Sequence, residues 1–230
     1  MLADADLAKV AGLIGDPHRA GFLLALVGGG ECSAGELAQR TGASTSLASG
    51  HLSKLLAGGL VAAERRGRNR YYRLARPEVA QAIEGLLAVA PARAAGSLRE
   101  STRGEAIRRA RTCYDHFAGR LGVALTEGLG REGLIRTTDA GWSLTEAGRR
   151  RFEQVGLDID GLERGRRTLI RPCLDWTERR PHVAGALGAS LADRILELGW
   201  VTRLPQTRAV LVTPNGARQL RREFAVELGR

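Results

Sequence analysis

Residues 44–55 of the chain read STSLASGHLSKL. Ser44 is a favourable helix N-cap, and the pair Gly58 and Gly59 is typical of a helix end. Four leucines recur at the spacing of one buried helical face: Leu47, Leu52, Leu55 and Leu56. The stretch therefore predicts a helix from Ser44 to about Ala57, with a polar face opposite the leucines.

The residues upstream predict a second short helix joined to this one by a tight turn. Ser33 followed by Glu36 has the pattern of a capping box, which marks a helix start. Residues 41–43 read TGA and predict the turn. Two further helices are expected over 7–14 and 19–27, separated by an Asp-Pro pair.

A basic β-hairpin is predicted downstream. Residues 60–64 and 71–74 read as two strands, and the turn over 65–70 contains four arginines. Two short helices joined by a turn and followed by such a hairpin form a winged helix-turn-helix. A further helix is expected over 78–89, with an apolar stripe formed by Val79, Ala82, Ile83, Leu86 and Leu87.

The order and spacing of these motifs resemble the ArsR/SmtB family of bacterial repressors. Residues 16–19 read DPHR, like the D-P-x-R opening of that family, and residues 49–55 read SGHLSKL, like its usual recognition-helix ending S-x-H-L-x-x-L. Residues 59–61 read GLV, and the arginine-rich hairpin ends in YRL at 72–74. The resemblance covers about residues 5–90.

The resemblance implies a dimeric DNA-binding repressor that leaves its operator when an effector binds. Such a dimer reads two half-sites of a pseudo-palindromic operator on double-stranded DNA, about one helical turn apart. The recognition helix would lie in the major groove and the hairpin, or wing, along the DNA backbone. The candidate DNA contacts are Thr45, Ser46, Ser49, His51, Ser53, Lys54, Arg65, Arg66, Arg68 and Arg70. The alternative is that these residues form only a solvated helix face and a solvated turn.

The second half of the chain contains an internal repeat. Residues 121–125 read LGVAL and recur as LGASL at 187–191, and GLI at 133–135 recurs as GWV at 199–201. Each copy reads as a helix, a glycine turn, a hairpin and a helix that starts with Thr-x-x-Gly. This order resembles the helix-and-wing half of a winged helix.

The sequence therefore predicts a mainly α protein with small β wings (α+β). We expect a winged-helix domain for DNA binding and dimerisation over 1–90 and a helical connector over 91–110. A C-terminal domain over 111–230 is expected to contain two winged-helix-like repeats, about 111–165 and 171–230. A pseudo-two-fold axis is expected to relate them, and this domain is the candidate for sensing an effector.

Composition and charge limit the function classes. Of the 230 residues, 43% are hydrophobic and 26% charged, which excludes a mostly disordered chain. The 35 basic and 25 acidic residues give a net charge of +10, which favours nucleic-acid partners, although richness in arginine also suits a GC-rich genome. The start of the chain lacks the pattern of a signal peptide, and no apolar run is long enough for a membrane helix. With only three cysteines, we predict a cytoplasmic protein with reduced thiols and no membrane partner.

The sensor sites familiar in the ArsR/SmtB family are not apparent. The stretch that corresponds to the family's Cys-x-Cys pair contains only Cys32, which is out of step with that pair, and residues 78–100 contain neither histidine nor aspartate. The repeats offer another candidate site for a thiophilic or transition metal ion: Cys113, Asp115, His116, Cys173, Asp175 and His182. The alternative is a structural corner in each repeat. In such a corner the aspartate caps the next helix, the arginine two residues before the cysteine forms an ion pair with that aspartate, and the cysteine is a packed side chain. No cofactor is predicted with certainty.

A small-molecule effector would need a pocket, and aromatic and arginine side chains near the repeated corners could line one: Tyr114, Phe117, Arg171, Trp176 and Trp200.

Two other function classes remain open at this stage. Cys113 and His116 could serve a cysteine-dependent enzyme, but no oxyanion loop, nucleotide-binding glycine pattern or catalytic carboxylate pair accompanies them. An architectural protein that uses winged helices as docking modules is the second alternative. We predict a repressor and no enzyme.

Overall fold

The computed structural model describes residues 6–91, 97–138 and 141–229 of the chain. The chain divides into two compact units, residues 1–83 (the first unit) and residues 84–230 (the second unit). Within the described ranges, no helix combines the length and the apolar character needed to cross a bilayer.

The first unit is a winged helix-turn-helix. A three-stranded antiparallel sheet has the strand order β1-β3-β2, and β2 and β3 form the wing. The elements in chain order are α1 (Leu7–Ile14), α2 (Pro17–Leu26), β1 (Cys32–Ser33), α3 (Ala34–Thr41), α4 (Thr45–Ala57), β2 (Val61–Arg66), β3 (Asn69–Leu74) and α5 (Pro77–Val89). The boundary between the two units falls inside α5.

Side-chain caps fix the helix starts of the first unit. The Asp16 carboxylate accepts a hydrogen bond from the Arg19 amide at the start of α2, and Ser44 accepts one from Leu47 at the start of α4. Ser33 and Glu36 form the predicted capping box of α3. Each cap satisfies amides that lack a partner in the first helical turn.

Three sequence expectations differ from the structure of the first unit. Leu47 is 40% exposed, because the buried face of α4 is formed by Ala48, Leu52 and Leu55. Ala82 and Leu86 of the expected stripe on α5 are exposed too. The wing turn is tighter than expected, since β2 and β3 pair up to Arg66 and Asn69. Strand β1 was not predicted, since two residues carry no strand pattern.

The second unit contains the end of α5, helix α6, two similar repeats and the short helix α9 between them. Each repeat is a β-hairpin, a 13-residue helix, a second hairpin and a further helix. The elements are α6 (Leu98–Arg109), β4 (Arg111–Cys113), β5 (His116–Ala118), α7 (Gly119–Arg131), β6 (Ile135–Thr138), β7 (Gly141–Leu144), α8 (Glu146–Gln154), α9 (Ile159–Arg164), β8 (Arg171–Leu174), β9 (Pro181–Ala184), α10 (Gly185–Glu197), β10 (Val201–Arg203), β11 (Val210–Val212) and α11 (Pro214–Phe224). Of the connector expected over 91–110, residues 92–96 lie outside the described residues.

The repeats contact one another reciprocally. A Cβ atom placed on Gly122 in α7 would lie 3.5 Å from the Cβ atom of His182, and one on Gly188 in α10 would lie 3.4 Å from that of His116. Each helix thus packs against the first hairpin of the other repeat. The two Arg-x-Cys segments, for which a structural corner was one alternative, are strands β4 and β8 of these hairpins. As in that alternative, an aspartate lies at a helix start: Asp175 Oδ2 accepts from the Gly119 amide of α7 at 2.6 Å.

A glycine at the start of α11 permits a close backbone contact. A Cβ atom on Gly216 would lie 1.8 Å from the carbonyl oxygen of Trp200. The Gly216 amide donates to Thr213 Oγ1 at 2.9 Å. In the first repeat, a Cβ atom on Gly148 would lie 2.0 Å from the carbonyl oxygen of Leu134. This contact explains why both repeats carry Thr-x-x-Gly.

We expect Gly216→Ala to lower the free energy of unfolding by about 3 kcal/mol, because the new methyl group would displace backbone and not a flexible side chain. Urea unfolding followed by tryptophan fluorescence measures this, since all three tryptophans belong to the second unit. Gly130→Ala is the control: this site in α7 is exposed, and a Cβ atom there meets nothing within 4 Å. Equal stability of the two variants would contradict the packing argument.

Candidate nucleic-acid interface and metal-ligand cluster

The polar face of α4 is exposed. Helix α3 ends in the left-handed residue Gly42 (φ 70°), and the turn directs the chain into α4. Five of the six predicted contact residues of this helix are exposed: Thr45, Ser46, Ser49, Ser53 and Lys54. Short hydroxyl side chains and one ammonium group therefore form a surface that can donate and accept hydrogen bonds.

His51, the sixth, points into the unit instead. Its side chain is 13% exposed, and its Nδ1 atom lies 3.4 Å from both Asp16 Oδ1 and the Arg19 guanidinium. Its ring also packs against the rings of His18 and Phe22. The expected base contact of His51 is not supported by this position, because the imidazole is held by the start of α2.

The arginines of the wing differ in their partners. Arg66 lies 2.6 Å from a Glu31 carboxylate oxygen and 2.9 Å from one of Glu64, so two acids already neutralise it. Arg65, Arg68 and Arg70 are exposed, and no ion pair involves them among the residues that the structure describes. These three arginines are the free cations of the wing.

The first hairpins of the two repeats bring four of the six predicted metal ligands together. The ligand atoms of these four side chains all lie within 4.8 Å of one another. They belong to Cys113, His116, Cys173 and His182, which are 2%, 2%, 8% and 0% exposed. The two sulfur atoms are 3.9 Å apart, and the two Nε2 atoms are 3.1 Å apart.

The two predicted aspartates lie behind the histidines. Asp115 Oδ1 is 3.0 Å from His116 Nδ1, and its other oxygen accepts from Arg167 at 2.5 Å. Asp175 Oδ2 is 3.5 Å from His182 Nδ1. A carboxylate hydrogen-bonded to an imidazole, as Asp115 is to His116, orients that ring. Neither aspartate belongs to the group of four side chains whose ligand atoms lie together.

A buried arginine links the repeats next to this cluster. Arg111 is fully buried, and its guanidinium donates to Asp175 Oδ2 at 3.0 Å and approaches a Glu84 oxygen at 3.8 Å. Arg208 also pairs with Glu84. Burial raises the pKa of the Asp175 carboxyl, but the charge of Arg111 together with hydrogen bonds from Thr177 and from the Gly119 and Glu178 amides outweighs burial and holds the pKa well below its usual range. The sequence suggested an arginine–aspartate pair at each corner, and the structure forms such a pair between the two repeats, 64 residues apart along the chain.

The two thiols differ in acidity. A hydrogen bond from Cys113 lowers the pKa of the Cys173 thiol, and the neighbouring imidazoles of His116 and His182 lower it further. The same hydrogen bond, together with burial, raises the pKa of Cys113. Cys173 is therefore the more acidic thiol of the pair. Both sulfurs are shielded from solvent, an arrangement that does not favour a cysteine-dependent enzyme, whose nucleophile must reach a substrate.

The structure places the residues of the expected small-molecule pocket in different surroundings. Phe117 and Trp200 belong to the hydrophobic core of the second unit, and Trp200 packs against Phe224. The Trp176 ring lies 5.1 Å from the Arg111 guanidinium. Tyr114 adopts φ 61° in the β4–β5 turn, and Arg171 donates to the carbonyl of its neighbour Pro172. Two cavities of the second unit are lined by other residues.

Comparison with known proteins agrees with these features. A helix-turn-helix domain profile matches residues 14–63. The HTH-type transcriptional regulator YdfF of Bacillus subtilis (strain 168) is 42% identical over 211 residues, which cover 92% of this chain and 93% of YdfF. The HTH-type transcriptional regulator CmtR of Mycobacterium tuberculosis (strain ATCC 25618 / H37Rv) is 38% identical over 88 residues, which cover 38% of this chain and 74% of CmtR.

A solved structure is also similar to part of the chain. It is the homodimeric winged helix-turn-helix DNA-binding domain of a possible ArsR-family transcriptional regulator from Mycobacterium bovis. The identity is 31%, the match covers 39% of this chain and 89% of that one, and the TM-score is 0.34.

Proposed function

The chain belongs to the ArsR/SmtB family of helix-turn-helix transcriptional regulators, and from this premise we propose that it is a dimeric repressor. The repressor binds a pseudo-palindromic operator on double-stranded DNA and leaves it when an effector, a small molecule or a thiophilic metal ion, binds. The observation that carries this proposal is the exposed polar face of α4 beside a wing with three free arginines.

The two surfaces have different tasks in the complex. The hydroxyls of α4 can hydrogen-bond to base edges in the major groove, but single hydroxyls discriminate bases weakly. The wing arginines contact phosphates or the minor groove, which supplies affinity and not sequence preference. Weak readout in each half-site makes a two-site operator, and therefore a dimer, necessary for specificity.

Exposed apolar side chains support the dimer. Leu7 and Val10 on α1 are 77% and 37% exposed, and Leu86 and Val89 on α5 are 48% and 79% exposed. Apolar surface of this kind on two helices is suited to burial against a second copy of the chain. The dimer would then present two copies of α4 to successive major-groove turns.

Operator binding tests the proposal directly. The full chain is titrated at fixed salt with DNA from upstream of its own gene, and the protected bases are footprinted. We expect one protected pseudo-palindrome bound at least about 1,000-fold more tightly than unrelated DNA. Equal affinity for all fragments would contradict a repressor and favour the architectural alternative.

Two wing variants compare an arginine without an acidic partner with one that two acids neutralise. Arg68→Ala should weaken binding to every DNA sequence and reduce the slope of log affinity against log salt by about 0.9, because one phosphate contact is lost. Arg66→Ala should have a smaller effect, since Glu31 and Glu64 already neutralise this charge in the free protein. Equal salt slopes for the wild type and Arg68→Ala would remove the wing from the interface.

A further inference from the structure

The cluster of two cysteines and two histidines lies wholly in the second unit, whereas the residues proposed to contact DNA belong to the first unit. We propose that Cys113, His116, Cys173 and His182 form a four-coordinate binding site for one divalent ion of the zinc class. This inference does not rest on the proposed DNA binding.

The distances match a tetrahedron around such an ion. Zinc binds thiolate sulfur at about 2.3 Å and imidazole nitrogen at about 2.0–2.1 Å. A regular tetrahedron with these bonds has a sulfur–sulfur edge of about 3.8 Å and a nitrogen–nitrogen edge of roughly 3.3 Å. The protein has edges of 3.9 Å and 3.1 Å. The remaining separations, up to 4.8 Å, require only a small contraction of the hairpins.

The two imidazoles turn their Nε2 atoms toward each other, 3.1 Å apart. Asp115 accepts a hydrogen bond from His116 Nδ1, because a carboxylate cannot donate. His182 Nδ1 faces Asp175 at 3.5 Å and has no hydrogen-bond partner among the described residues. A cation between the two Nε2 atoms would bind both lone pairs, with the ring protons on the Nδ1 atoms toward the two aspartates.

The donor set selects the class of ion. Two thiolates and two imidazoles suit zinc and its thiophilic neighbours, whereas magnesium and calcium require oxygen ligands. Two thiolates also neutralise a divalent charge in a site that is at most 8% exposed. Four protein ligands leave no open position, so the site holds an ion and does not activate a water.

The alternative of a packed corner accounts for Asp175, which accepts from the Gly119 amide at 2.6 Å and from Arg111 at 3.0 Å. It does not account for the two buried imidazoles whose Nε2 atoms face each other beside the sulfur atoms, because such polar groups are costly to bury without a polar purpose. Each repeat supplies one cysteine and one histidine, so a bound ion would connect hairpin β4–β5 to hairpin β8–β9. The internal symmetry of the second unit thus creates a site that neither repeat contains alone.

The test uses the full chain, freed of metal by a chelator. Zinc is titrated against a chromophoric chelator, and cobalt(II) is added separately as a spectroscopic probe. We expect one zinc ion per chain and, with cobalt, the intense visible absorption of a tetrahedral site together with sulfur-to-cobalt charge transfer. Cys113→Ser and Cys173→Ser should each weaken zinc binding at least about 100-fold.

Cys32→Ser is the matched control, because Cys32 is also buried but lies in the first unit, and it should bind zinc like the wild type. Wild-type protein that takes up no zinc, or that gives octahedral cobalt without charge transfer, overturns the proposal even if the serine variants fail to fold. Binding that Cys32→Ser abolishes and Cys113→Ser retains overturns it as well. None of these readouts contains DNA, so their failure leaves the proposed operator binding untouched.

Discussion

Replacing Arg111 with alanine is expected to lower the free energy of unfolding of the second unit by about 3–5 kcal/mol. The guanidinium is fully buried and donates to Asp175, which is also 0% exposed, and to the Thr177 hydroxyl at 3.2 Å. Removal of the cation leaves a buried carboxylate without its opposite charge and loses the contact with the Trp176 ring. Urea unfolding followed by tryptophan fluorescence gives the value, because the tryptophans all lie in this unit.

The internal repeat provides the control for this variant. Arg171 occupies the same position in the second repeat, but it is only partly buried and its side chain donates to a backbone carbonyl at 3.5 Å. Arg171→Ala should therefore change the stability by no more than about 0.5 kcal/mol. If both variants lower the free energy of unfolding equally, the loss comes from replacing the first residue of the strand and not from breaking the buried ion pair.

Local features of the chain could be predicted well because their cause is local. Ser33, Ser44 and Asp16 cap the helices that the sequence assigned to them, since a cap depends on amides only three residues away. The order of two short helices and a hairpin likewise identified the winged helix. The position of Leu47 was predicted wrongly, because helical spacing alone does not set how far the buried face extends.

Long-range contacts could be predicted only in part. The offset of 66 residues between the repeats correctly suggested that the two cysteine segments meet, but it could not show which four of the six candidate side chains would lie together. The selection depends on hairpin lengths: a two-residue turn separates Cys113 from His116, whereas a longer loop separates Cys173 from His182. Asp175 belongs to that loop, and its carboxylate accepts a hydrogen bond from Arg111 of the first repeat. The inward position of His51 depends in the same way on α2, a distant partner.

The second large effect is expected on DNA binding. Ser49→Glu should weaken operator binding by roughly 100-fold or more, because a carboxylate on the exposed face of α4 would face the phosphates of the major groove. Like charges brought together at an interface cost several kcal/mol, and about 1.4 kcal/mol corresponds to a factor of ten in affinity. Fluorescence anisotropy with a labelled operator at fixed salt measures the loss.

Ser101→Glu adds the same charge to an exposed serine on α6 in the second unit and serves as the control. This substitution changes the net charge by the same amount. Its affinity for the operator should therefore fall only through weak long-range repulsion from the phosphates, which added salt screens. Both variants should still bind one zinc ion per chain, since neither residue lies near the four proposed ligands along the chain. An equal loss in the two variants would mean that net charge, and not the face of α4, governs binding. Full operator affinity in Ser49→Glu would mean that DNA is read by another surface of the protein.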